Sequence, residues 1–209
     1  MDFFPDTFLE SLKDFTELNG WRFFVEEGNL NGACELTGRR IEVDLDGLRR
    51  LDRSDAFTTR IHAYVSFTCL DAIHSYIDQI IVKKYPKAAE KPFNVHAKRT
   101  FVGAFTPHWK PELVAILVSI EAWASSLNVN ECISAFVQNC PDGGSVCPDG
   151  PSVTQINHLA ALAFVGNFSE LEEYSAAFKR GARMNFIPLI TLEIIEAELD
   201  ISYDQFANK

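Results

Sequence analysis

The sequence predicts an α+β protein, with an N-terminal helix and an antiparallel sheet packed against a C-terminal helical half. Three observations predict it. Residues 57–68, FTTRIHAYVSFT, alternate between apolar and polar side chains, the period of a strand with one buried face. Short runs rich in strand formers precede that segment, with turn residues between them. From Pro111 onward the apolar spacing is helical and is punctuated by caps and glycine stops.

The elements follow in chain order. Asp6 can cap a helix that carries Leu9, Leu12 and Phe15 at helical spacing and ends at Gly20. WRFFVEE (21–27), ACELT (33–37) and RIEVDL (40–45) read as strands separated by GNLNG and GRR. In 57–68, Ile61, Ala63, Val65 and Phe67 share one face, and Arg60, His62, Tyr64 and Ser66 the other. Adjacent, turn-linked strands imply antiparallel pairing. Residues 70–86 return to helical spacing through Leu70, Ile73 and Ile77, and Pro86 stops the run. RTFVGAF (99–105) is a further strand.

The helix beginning at Pro111 is apolar nearly all round, so it is expected to be central and buried, packed on the sheet. A shorter helix covers 130–139. Ser152 with Gln155, and Ser169 with Glu172, have the spacing of capping boxes. The helices they open end at Gly166 and Gly181. Asn185 is expected to cap the last helix, with Pro188 in its first turn. The resulting portions are 1–110 (helix plus sheet) and 111–209 (helical), in one compact unit.

At 47% hydrophobic residues the chain can bury a sizeable core, which argues against disorder. No apolar run reaches the ~18 residues of a membrane span, and the acidic N-terminus lacks the basic start of a signal peptide. The expected location is therefore the cytoplasm. There the five cysteines, an odd number, are most simply free thiols. Cys140 and Cys147 stand in a doubled Cys-Pro-Asp-Gly. Their spacing of six intervening residues is not the two to four of a zinc knuckle, so the stretch reads as two turns joining helices.

Charge is uneven. Residues 1–82 hold 8 basic and 15 acidic side chains, net −7, and 83–110 hold 7 and 1, net +6. Residues 111–209 hold 4 and 13, net −9, for a total of −10. Such a chain repels nucleic acid and anionic membranes and suits a basic partner.

Phosphate-loop, dinucleotide-binding, nucleophile-elbow and zinc-protease motifs are absent from the sequence. Glu42, Asp44 and Asp46 would share a strand face, and three carboxylates can hold a hard cation; an exposed acidic strand is the plainer reading. His74 and Asp78 stand one helical turn apart, a spacing helix surfaces offer by chance. His62, His96, His108 and His158 have no partner readable from the sequence. No catalytic residue, metal or cofactor is assigned. The candidate partner-binding residues are Glu170, Glu172 and Glu173, which leave the stripe of Leu171, Tyr174 and Phe178 to face outward, together with Glu193, Glu196 and Asp200, which share one face with no lysine between them.

Residues 156–181, through HLAALA, the Gly-Asn turn and the closing Arg-Gly, resemble an ankyrin-type helical hairpin, without the second copy an array would need. RGARMNFIPLITLEIIEAEL resembles the C-terminal segment of an uncharacterised family of small bacterial proteins of the kind encoded beside secreted toxins. That resemblance implies a toxin-immunity role and carries no catalytic residues. The order of elements in the first 126 residues is similar to type III secretion chaperones, beyond which this chain has an extra helical half. The expectation is a cytoplasmic bacterial immunity protein that binds and inhibits a cognate secreted toxin with a basic surface. The alternatives are a secretion chaperone that binds an effector segment, and an enzyme using His74 with Asp78 or the 42–46 carboxylates.

Overall fold

The computed structural model describes residues 20–26, 29–50, 57–84, 95–105, 109–138 and 151–207. The expected N-terminal helix and the Cys140–Cys147 turns lie outside them. The described residues form a five-stranded antiparallel sheet and six α-helices, so the protein is α+β. The strands are β1 (Arg22–Glu26), β2 (Asn29–Leu36), β3 (Arg39–Arg50), β4 (Phe57–Phe67) and β5 (Ala97–Phe105), and they lie side by side in chain order. The helices are α1 (Asp71–Lys84), α2 (Trp109–Ser126), α3 (Val129–Gln138), α4 (Pro151–Val165), α5 (Phe168–Lys179) and α6 (Leu192–Ala207).

The chain divides into two compact units, and the division does not fall at residue 110. Among the described residues, one unit holds those between 20 and 66 together with those between 97 and 127; the other holds those between 67 and 96 together with those from 128 onward. The reason is pairing and packing. β5 pairs with β4, from Phe57↔Phe105 to Val65↔Ala97, although 30 residues of the other unit intervene. α2 packs on β5 and β3, whereas α1 packs on α4 and α6.

In the sheet unit the expected alternation holds except at Ser66, which was expected on the outward face and is buried. Cys34, Ile41, Val43, Leu45, Ile61, Ala63 and Val65 are buried on the inner face, while Glu42 and Arg60 are exposed. Leu113, Leu117, Ile120 and Ala124 are the buried stripe of α2. Gly103 permits the close approach of that helix, since a Cβ there would lie 2.8 Å from Ile116 Cδ1 and 2.9 Å from the Phe105 ring. Trp21 Nε1 donates to Glu121 Oε1 at 2.6 Å, and Arg39 donates to the Leu127 carbonyl at 2.6 Å. The expected central helix is thus only half right: α2 lies against the sheet, but Ala115, Val118, Ser119 and Ala122 are exposed.

The helix buried on every side is α4, where each residue from Val153 to Ala163 is buried. It packs against α3, α5, α6 and α1. The glycine stops hold. Gly166 and Gly181 have φ of 71° and 82°, and the following N–H groups reach back five residues, Asn167 to the Leu162 carbonyl and Ala182 to the Ala177 carbonyl. That is the Schellman closure, and the left-handed backbone it needs favours glycine.

Two expected caps differ. Phe168 opens α5, so Asn167 occupies the cap position and not Ser169. The Ser152 side chain lies outside the described ones, and the Gln155 side-chain amide bonds to the 185–187 segment. Asn185 does not open α6, because the helix begins seven residues later at Leu192, with Thr191 Oγ1 accepting from Ile194 N–H at 3.4 Å.

Candidate functional site

Gln155, Asn157 and His158 of α4 carry polar side chains inside the helical unit, and each is tied to a different segment. Gln155 donates to the Asn185 carbonyl at 3.1 Å and accepts from Ile187 N–H at 2.9 Å. Asn157 donates to the Val95 carbonyl at 2.8 Å, leaving its own buried oxygen without a partner. His158 Nδ1 lies 2.9 Å from the Phe136 carbonyl at the end of α3, which makes Nδ1 the protonated nitrogen. Ala163 accepts from Ser202 of α6 at 3.1 Å. Buried polar groups fix the packing of helices that apolar contact alone would leave adjustable.

His158 Nε2 is 3.0 Å from the Tyr174 hydroxyl, which donates to Glu170 Oε1 at 2.7 Å. Glu170 Oε2 accepts from Asn167 Nδ2 at 2.8 Å. Glu170 was expected to face outward. Instead both oxygens are engaged at the start of α5, and Tyr174 carries its influence to an imidazole with no exposure. Burial lowers the His158 pKa, opposed by the Phe136 carbonyl and by the Glu170 carboxylate.

The second buried pair is His74 on α1 and His96 just before β5, with Nε2 atoms 3.1 Å apart. His96 Nδ1 accepts from Phe67 N–H at 2.7 Å, and the ring stacks on Phe67, centroids 5.1 Å apart. That bond fixes both tautomers. With Nδ1 an acceptor, neutral His96 carries its proton on Nε2 and donates to His74 Nε2. His74 then carries its proton on Nδ1, which has no partner. The same geometry opposes a metal bridging the two rings, because His96 Nε2 has no lone pair to offer. Burial lowers His74 to about 4 and, with the neighbouring His74, His96 to about 3. His74 is thus partnered by His96, where the sequence spacing had suggested Asp78. Asp78 is half-buried and its carboxyl is raised by burial.

Glu198 is fully buried on α6, and neither carboxylate oxygen has a hydrogen-bond partner. Burial holds its pKa well above the usual carboxylate range. Glu42 and Asp44 lie on the outer sheet face, opposite in direction to buried Ile41, Val43 and Leu45, and no group of three metal-ligating side chains occurs among the described residues.

The carboxylates expected to meet a partner lie on α5 and α6. Glu172, Glu173, Glu193 and Asp200 are exposed, and Glu196 is partly so. No lysine stands within the α6 row, but neighbouring helices supply two. Lys84 of α1 pairs with Glu193, and Lys179 of α5 pairs with Glu196 at 2.8 Å. The hydrogen bond from Lys84 lowers the Glu193 pKa.

A family model described as a family of unknown function, DUF6990, matches residues 19–201 of the 209. The chain belongs to that family. No curated protein and no solved structure matches the chain. The DUF6990 match runs through both compact units, so the sheet and the helices belong to the family together. It contains both histidine sites and Glu198, and it ends one residue before Ser202.

Proposed function

We propose that this protein is a non-catalytic binding protein: a bacterial immunity protein, acting in the cytoplasm, that inhibits a cognate secreted toxin by covering a basic active surface. The observation that carries this reading is the acidic face of α5 and α6, where Glu172, Glu173, Glu193 and Asp200 are exposed. The helical unit as a whole has 14 acidic and 8 basic residues, net −6, so its field attracts a cationic partner before contact. Lys84 and Lys179 act as internal placeholders. Each engages one carboxylate through a single ammonium, and a partner arginine offers the same carboxylate a bidentate contact. The resemblance of 180–199 to proteins encoded beside toxins points the same way.

The test is co-expression. The product of the gene immediately upstream is expressed alone and with this chain in a heterologous host. Growth arrest that this chain relieves supports the proposal. The variant Glu172→Lys/Glu173→Lys/Asp200→Lys should lose the rescue while keeping its circular dichroism spectrum. A neighbour that is harmless by itself, or arrest that the wild-type chain leaves in place, would sink the toxin-inhibition reading. Full rescue by the triple variant would remove this face from it.

A further inference from the structure

The β4–β5 ladder ends at Val65↔Ala97, and the next bond is of a different kind. Phe67 N–H is received by the His96 ring, and His96 in turn donates to His74 in the second turn of α1. Phe67 and His96 are also the residues at which the chain enters and leaves its first passage through the helical unit. One short chain of two hydrogen bonds therefore ties entry, exit and α1 together.

We propose that the Phe67–His96–His74 chain is an acid-operated latch, which holds when both rings are neutral and opens when either takes up a proton. The polarity of the bonds carries the inference. A proton on His96 Nδ1 would face Phe67 N–H across 2.7 Å, donor against donor. A proton on His74 Nε2 would face His96 Nε2–H across 3.1 Å, again donor against donor. No ring flip relieves both conflicts, since each doubly protonated ring has only donors. The protonated ring can be satisfied only by moving away and reaching water.

Ionisable groups on the surrounding elements do not offset this. Among the described side chains they are Cys69 just before α1, Asp71, Tyr76, Asp78, Lys83 and Lys84 on α1, Glu131 and Cys132 on α3, His158 on α4, and Glu193, Glu196, Glu198 and Asp200 on α6. The proton affinity of His74 is set by burial alone, and that of His96 by burial and His74. The Lys84–Glu193 ion pair stays on the surface. His96 meets Phe136 edge-on, centroids 6.1 Å apart, so α3 presents a ring to it and no carboxylate.

The experiment is hydrogen exchange of the full chain followed by NMR between pH 7.5 and pH 5, with rates corrected for the intrinsic pH dependence of exchange. Phe67 N–H protection should fall about tenfold per pH unit below about 6.5, the pKa of a freed imidazole, while Ile61 and Ile156 keep theirs. His74→Gln/His96→Asn keeps an acceptor near each bonding nitrogen and cannot take up the proton; it should hold Phe67 protection constant across the range. Ring 15N shifts at pH 7.5 should show His96 protonated at Nε2 and His74 at Nδ1. The reverse tautomers, pH-independent protection of Phe67 in the wild type, or an unchanged pH dependence in the double variant would each overturn the latch. So would loss of Phe67 and Ile156 protection together, since that is unfolding of the whole unit.

Discussion

His74 and His158 belong to adjoining helices of one unit, both nearly sealed from water, and they answer a proton in opposite ways. Around His74 the bonds run Phe67 N–H to His96 to His74, and every acceptor on that path is already filled. An added proton breaks a bond. Around His158 the path is short of one donor. Tyr174 gives its only hydroxyl proton to Glu170, so its oxygen and the neutral His158 Nε2 meet lone pair to lone pair. A proton at Nε2 completes the chain to Glu170 and is balanced by that carboxylate. Burial disfavours charge in both places; the polarity of the neighbouring bonds decides what the charge would do.

The largest effect that could break this comparison is acid. An unfolded imidazole protonates near pH 6.5, whereas His74 resists to about 4 and His96 to about 3. Between those limits the unfolded chain binds more protons, so stability rises with pH and is lost as pH falls. Urea unfolding at pH 7 and pH 5 should differ by about 4 kcal/mol from this pair, and His74→Gln/His96→Asn should remove most of the difference. Next comes His96→Leu, which leaves Phe67 N–H buried without an acceptor and should cost about 3 kcal/mol at pH 7 in the same measurement.

Glu198 sharpens the contrast by reversing the sign. Its folded pKa is raised, so the unfolded chain sheds that proton first and stability falls as pH rises above the usual carboxylate range. Glu198→Met should therefore stabilise by about 2 kcal/mol at pH 8 and by less at pH 5, read from the thermal midpoint. The smallest effect in the series is Tyr174→Phe, which removes the hydroxyl between His158 and Glu170. It should cost about 1 kcal/mol at pH 7 and leave the acid slope of the His74–His96 pair intact.

How much of this the sequence showed depended on range. Alternation in 57–68 and the stops at Gly166 and Gly181 are local, and they located β4 and the ends of α4 and α5. The division into units was not local. Nothing in RTFVGAF says that it pairs with β4 while residues 67–96 leave for the other unit. His96 was unreadable for the same reason: its partners, Phe67 and His74, stand 29 and 22 residues away, and no spacing rule joins a connector histidine to a helix. Glu198 was readable. It stands four residues after Ile194 and four before Ser202, on the buried stripe of α6 and off the row of Glu193, Glu196 and Asp200. The two lysines facing that row come from other helices, which a row read along one helix cannot show.

The segment between α5 and α6 has no regular secondary structure, yet Arg183 donates to the carbonyls of Phe186, Ile187 and Ile190 and lies over the Phe178 ring. A trypsin-like protease must draw an arginine head group into its own acidic pocket before it can cut. Arg180, at the end of α5, and Arg183 are both exposed, but Arg183 would first have to surrender three carbonyl contacts and a ring. Limited digestion should thus cleave after Arg180 and spare the bond from Arg183 to Met184, so that a loop with no helix or strand behaves as a protected site.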